Sequence, residues 1–264
     1  MLKIGIPSNL CCRPLGEVFE KRPGVAVEVC PWHQVATMLR QSEIGAGVVS
    51  PIEYARESSL YRILPGFAIT SRAGVTLCMR KGLRDIKTIA ANPAFASEIV
   101  LAKIVLTEEF ELNPAIVPTM GSAEHMLTRA DAALVAGDAL MEENAANEGE
   151  LDLVELWSEM VGLPYVHGFF AAREGTLRQE DVLQFREAAL QTEIRRNTVN
   201  PGSGETQGFE DRYRSQFSYV LDDEAGEALQ EFLKYAHYHG ILPDIPSIRT
   251  YQSSDADDES LEDE

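Results

Sequence analysis

Basic residues are scarce in this sequence. Lysine and arginine together number 23 against 42 aspartates and glutamates, a formal net charge of −19. That balance argues against nucleic acid and against anionic membrane surfaces as partners. Cysteine is sparse too: Cys11, Cys12, Cys30 and Cys78, with no CxxC pair and no Cys/His spacing of a zinc site. Adjacent Cys11 and Cys12 are badly disposed to bond each other, so reduced and mostly buried thiols are expected. No run of about eighteen apolar residues occurs, so no transmembrane helix is expected. The opening Met1-Leu-Lys-Ile-Gly-Ile6 has the pattern of a first strand, not of an export signal, and implies a cytoplasmic protein. Phosphate-loop, GxGxxG, GxSxG and HExxH patterns are absent, and no cofactor or metal is expected. None of the five histidines has metal spacing. For His33, His125, His167, His237 and His239 the surface or satisfied-core interpretation is favoured.

What is present is enough apolar content, 45%, for one large core or two smaller ones. The last ten residues, Asp255 to Glu264, hold seven acids and no base, an expected disordered tail; the rest of the chain then carries −12. Upstream, strand patterns at Leu2–Ile6, Val25–Val29, Ala46–Val49, Val75–Met79, Ala115–Val117, Ala132–Val135 and Val166–Ala172 alternate with helical ones. The alternation predicts an α/β fold with largely parallel sheets. Helices are expected at Leu15–Glu20, Trp32–Gln41, Pro51–Ser58, Ser97–Phe110, Ser122–Thr128, Gly137–Asn147, Leu153–Met160, Gln179–Thr192, Phe209–Tyr219 and Asp223–His239. One strand pattern leaves near residue 80 and another returns near residue 165. Between them lies a stretch with its own strands and helices. The organisation expected is two-lobed: residues 1–80 plus 170–250, an inserted lobe at 81–169, two hinge-crossing strands, and a tail at 251–264. Such folds bind small anions in the cleft, where strands end and helices begin.

The segment Gly47-Val-Val-Ser-Pro-Ile-Glu-Tyr-Ala55 runs a β-branched strand straight into a helix start. Ser50 at the N-cap, Pro51 at the first helical position and Glu53 at the third predict a capping box. Backbone N–H groups at such a start are disposed to receive a carboxylate or phosphate, though an ordinary turn that binds nothing has the same sequence. Ser97, Ser122 and Gly137-Asp138 open further predicted helices, and each equally suits a simple cap. Asp138 would repel an anion; it suits either the positive end of a helix or a substrate hydroxyl.

Four ordered stretches together resemble one family. They are Val49-Ser-Pro-Ile-Glu-Tyr-Ala55, Leu64-Pro-Gly-Phe-Ala-Ile69, Asp131-Ala-Ala-Leu-Val-Ala-Gly-Asp-Ala-Leu140, and Trp157-Ser-Glu-Met-Val-Gly-Leu-Pro-Tyr-Val166 with Phe170-Ala-Ala-Arg173. The set is similar to the chorismate dehydratases of the futalosine route to menaquinone. The resemblance implies a periplasmic-binding-protein type II fold. It also implies a cofactor-free lyase that converts chorismate, a small dicarboxylate, into 3-[(1-carboxyvinyl)oxy]benzoate. In that family the substrate's enolpyruvyl carboxylate is thought to be the base, and the protein positions it. The family's first loop commonly reads Asn-Tyr-Leu-Asn-x-x-Pro. Here Ser8-Asn9-Leu10-Cys11-Cys12-Arg13-Pro14 stands in its place, so the Asn role falls to Asn9 or to Cys11. The Ser-Arg-Thr helix start becomes Phe95-Ala96-Ser97, without the arginine, and Thr76 takes the place of a serine hydroxyl in the stretch from Arg72. The resemblance thus implies Asn9 and Thr76 as catalytic and Cys11, Ser50, Pro51, Ser97, Gly137 and Asp138 as substrate-binding. Arg13 is the expected carboxylate partner, because a guanidinium binds carboxylates bidentately; a solvated surface arginine is the alternative. Arg72 and Arg80 lie near the same loops. Two rivals stand beside the dehydratase. One is a non-enzymatic carboxylate-binding or sensing protein on the same fold. The other is the sibling naphthoate synthase, which asks for a cleft histidine that no sequence context here supplies.

Overall fold

The apolar runs become two five-stranded sheets in a computed structural model, which describes residues 1–80, 85–141, 150–198 and 215–251. In the first sheet the order is β2 (Val25–Cys30), β1 (Leu2–Pro7), β3 (Ala46–Val49), β10 (Tyr165–Arg173), β4 (Tyr61–Ser71). In the second it is β7 (Ala115–Pro118), β6 (Thr88–Ala91), β8 (Ala132–Ala136), β5 (Val75–Met79), β9 (Glu150–Asp152). The βαβ units give parallel pairs β1–β2, β1–β3, β6–β7 and β6–β8. The sheets are mixed rather than largely parallel, because strands adjoining the crossings run backwards. β10 is antiparallel to β3 and β4, and β5 to β8 and β9. The chain passes between sheets at residues 72–74 and returns after α6 (Leu153–Val161).

Three strands were hidden from the hydrophobic pattern. β4 carries Pro65-Gly66, a turn signal by composition. The strand continues through it, with irregular register to β10 and Gly66 at φ +95°. β6 is Thr-Ile-Ala-Ala, with two residues of poor strand propensity, and β9 has only three residues. The expected helix at Gly137–Asn147 begins as a 3-10 turn, Gly137–Met141, and its remainder lies outside the described residues. Most of the expected Phe209–Tyr219 helix and residues 252–264 also lie outside them; Ser218 is extended and bridged to Thr70.

Two aromatic cores lock the sheets. Phe19 of α1 (Arg13–Phe19), Phe67 of β4, Phe170 of β10 and Phe185 of α7 (Gln179–Thr198) pack with ring centroids 4.7–5.6 Å apart where they touch. On the other face of β10, Trp157 and Tyr165 meet Phe232 of α8 (Asp223–Tyr238), and Tyr54 of α3 (Pro51–Arg56) meets Phe169. These rings are fully buried, and each contributes roughly 1.5–3 kcal/mol by leaving water. Strand alternation on β10 therefore feeds two cores at once. The remaining α-helices are α2 (Trp32–Arg40), α4 (Ala96–Phe110) and α5 (Ala123–Leu127).

Asp152 ties the crossing down. Its carboxylate caps α6 through the Val154 and Glu155 N–H groups, and its other oxygen accepts from Gly74 N at 2.7 Å. Among the described residues, no helix is long and apolar enough to cross a membrane.

Candidate functional site

The ends of β1, β3, β8 and β10 and the start of α4 meet between the sheets. Two adjoining compartments lie there, about 100 Å³ and about 20 Å³. The larger is bounded by Trp32, His33, Ser50, Glu53, Arg56 and the Pro93–Ala96 turn. The smaller has Asn9, Cys11, Gly74, Val75, Gly137 and Phe217 in its wall. Trp32, Phe95, Glu98 and His167 line both. Two glycines make this approach possible. A Cβ on Gly168 would stand 2.6 Å from the Trp32 ring and 2.9 Å from Val49 O, so only glycine lets the indole lie against β10. Gly137 has φ +64°, and a Cβ there would stand 2.9 Å from Asn9 Nδ2.

The sequence-predicted residues separate into three groups. Asn9, Cys11, Ser50 and Gly137 line the compartments. Pro51, Ser97 and Asp138 are outside the lining; Pro51 is buried at the start of α3, and Ser97 and Asp138 join the lobes. Ile52 N donates to Ser97 Oγ at 3.1 Å, so a buried hydroxyl of one lobe caps a helix of the other. Leu10 N donates to Asp138 Oδ1 at 2.8 Å, across the same gap. The expected capping box is not formed: Ser50 makes no side-chain cap bond, and Glu53 pairs instead with Arg56 at 2.5 Å and Arg40 at 3.5 Å. Pro51 has no N–H to give, and Ile52 gives its own to Ser97.

Arg13 and Thr76 are placed elsewhere. Arg13 is 61% exposed and lies along α1 beside Glu17, 3.5 Å away, because a side chain at the start of a helix meets the residue four on. Thr76 follows Val75, which faces the cleft; the strand period of two turns Thr76 to the opposite face, with Cys78. Arg72 pairs with Glu224 at 2.7 Å, and Arg80 donates to Leu127 O and Ala130 O. Cys11 Sγ stands 3.8 Å from Cys12 Sγ; burial pushes the Cys12 thiol well up.

Glu98 and His167 were not singled out from sequence. His167 sits in an apolar strand and Glu98 reads as a first-turn acid on a buried helix; neither has a motif. For His167, as for the other histidines, a surface or satisfied-core place was favoured; in the structure it is buried and also lines both compartments, and His33 lines the larger. Its Nδ1 is 4.0 Å from Glu98 Oε1, and the two side chains are 9% and 12% exposed. Burial alone pushes the His167 ring down to about 3. Burial also lifts Glu98 to about 7, against the pull of a backbone N–H. Tyr165 lies beside them, raised by burial and then by the Glu98 charge. At neutral pH the junction thus holds an uncharged imidazole and a carboxyl group near half-protonation.

This arrangement of two mixed sheets closed over a cleft is shared with other solved structures, binding proteins among them. Protein AF1704 from Archaeoglobus fulgidus superposes with a TM-score of 0.67 at 17% identity, over 91% of this chain and 98% of that one. The zinc-bound ligand-binding component of an ABC-type import system from Staphylococcus aureus does so at 0.66 and 13% identity, over 98% of each chain. The periplasmic aliphatic sulphonate binding protein from Escherichia coli gives 0.60 and 15% identity, over 95% of this chain and 92% of that one. At these identities the likeness defines the fold, that of the periplasmic binding proteins. Within that class, residues 2–238 match the menaquinone biosynthesis family, and the chain belongs to that family.

Proposed function

We propose that the protein is a cytoplasmic, cofactor-free lyase that removes water from chorismate to give 3-[(1-carboxyvinyl)oxy]benzoate. The single observation that carries this is membership of the menaquinone biosynthesis family, set over a cleft with aromatic walls and small polar ends. Trp32 and Phe95 flank a ring. Asn9 and the Gly137 turn serve one carboxylate, and Ser50, with Arg56 in the same compartment wall, serves the other. The substrate's enolpyruvyl carboxylate takes the ring proton, the neighbouring hydroxyl leaves, and the ring becomes aromatic. Ser97 and Asp138 act through the lobes rather than on the substrate.

The two compartments are smaller than the roughly 300–1,000 Å³ of drug-sized ligand sites. A ten-carbon guest therefore enters with the lobes apart and orders them on closure, which fixes the leaving hydroxyl in place. The test is incubation with chorismate and chromatographic detection of the enolpyruvyl benzoate. Absence of product at saturating chorismate rejects the proposal. The missing arginine before Ser97 and the cysteine at position 11 favour one rival, a protein that binds a small carboxylate without turning it over; calorimetric binding with no product supports that rival.

A further inference from the structure

The hydrogen bonds around His167 determine which of its nitrogens carries the proton. Ser71 Oγ lies 2.7 Å from Ala73 O and 2.7 Å from His167 Nε2. A carbonyl can only accept, so the one hydroxyl proton of Ser71 goes to Ala73. The serine oxygen then accepts from His167, whose Nε2 must bear the hydrogen. Nδ1 is left as a bare acceptor, and it is Nδ1 that faces Glu98. The 4.0 Å gap is too long for a direct hydrogen bond, yet an oxygen placed beside it reaches about 2.8 Å from both atoms. Such an oxygen would accept from the carboxyl O–H of Glu98 and donate to Nδ1. An alcohol has that pairing of lone pair and proton. A carboxylate does not.

We propose that the Glu98–His167 junction binds the hydroxyl group that leaves, and that Glu98 is the acid that protonates it. The proposal rests on the dehydratase reading. In the step, the Glu98 O–H bond breaks as the proton joins the hydroxyl oxygen. The carbon–oxygen bond breaks with its electron pair on oxygen, and water departs. The ring C–H proton passes to the substrate carboxylate and its electron pair forms the new double bond. That proton returns through solvent to Glu98, so the sum is chorismate to product plus water. His167 binds the same hydroxyl through Nδ1, and Ser71 is a positioning residue that acts through the imidazole; together they hold the hydroxyl with its lone pair toward Glu98. Burial supports this, since it keeps the proton on Glu98 up to about pH 7 and off His167. Among the described residues, Tyr165 from β10 interacts with Glu98, and the other ionisable groups lining the same compartments are His33 from α2, Glu53 and Arg56 from α3, and Cys11 from the first loop.

The experiment is chorismate turnover by the wild type and by Glu98→Gln, Glu98→Asp, Ser71→Ala and Ser71→Thr from pH 5 to 9. In the wild type kcat falls above about pH 7. Glu98→Gln lowers kcat at least about 100-fold, the usual scale of a lost acid, with KM within about threefold and without that alkaline limb. Glu98→Asp keeps part of the rate. Ser71→Ala loses rate while keeping the limb, and Ser71→Thr restores it. Turnover by Glu98→Gln within threefold of wild type, with the limb unchanged, overturns the role of Glu98 and leaves the dehydratase reading standing. Chorismate bound but not converted by the wild type overturns both.

Discussion

Replacing Glu98 with glutamine tests the electrostatics of the cleft without any substrate. Glutamine copies the protonated carboxyl in shape and cannot ionise. The folded wild type holds the Glu98 proton to about pH 7, whereas an unfolded chain releases it near 4.5. A raised carboxyl favours folding fully below 4.5, and that contribution is lost as the pH climbs through 7. At 1.36 kcal/mol per unit the loss is about 3 kcal/mol. His167 works in the other direction. Its ring is held down to about 3 against an ordinary 6.5, so its contribution is complete above 6.5 and is lost as the pH falls toward 3. Between 4.5 and 6.5 these two contributions run in opposite directions and offset each other. His167 is present in both proteins, so the difference between them isolates Glu98. In urea titrations the variant should match the wild type at pH 4.5 and exceed it by about 3 kcal/mol at pH 8. In melting temperature that is roughly 2–4 °C for each kcal/mol. Equal stability differences at the two pH values would refute a desolvated Glu98.

Three further outcomes follow from the packing. Ser97→Ala leaves the buried Ile52 N–H unpaired and should cost about 1–3 kcal/mol in urea, whereas Ser97→Thr keeps the acceptor; no loss in the alanine variant contradicts the inter-lobe cap. Gly168→Ala forces the Trp32 ring from β10, so the protein should lose roughly 1–3 kcal/mol and shift its tryptophan emission; an unmoved spectrum contradicts that contact. Asp138→Ala removes the acceptor of Leu10 N, so small-angle scattering should give a larger radius of gyration than wild type without ligand; identical radii refute a latch there.

The cleft is lined partly by residues whose neighbours in sequence announce nothing. Ser50 and Gly137 were legible because a strand running into a turn or helix start leaves a local mark: a cap-type residue, a proline, a glycine. Asn9 was legible only through a family pattern. Glu98 and His167 were not legible, since burial and a 4.0 Å approach between residues 69 positions apart leave no periodicity. Arg13 read as a carboxylate partner from charge and proximity in sequence, yet helix geometry turns it to solvent beside Glu17.

The sequence by itself determined the alternation of strands and helices, the two-lobed class of fold and the family, because apolar period, turn chemistry and ordered motifs are local properties of a chain. Tertiary structure alone decided that β10 returns antiparallel, that Ser97 caps a helix of the other lobe, and that an imidazole and a carboxyl group meet in the cleft. Those depend on distances across the lobes and on exclusion of water, and both arise only when the two sheets close on each other.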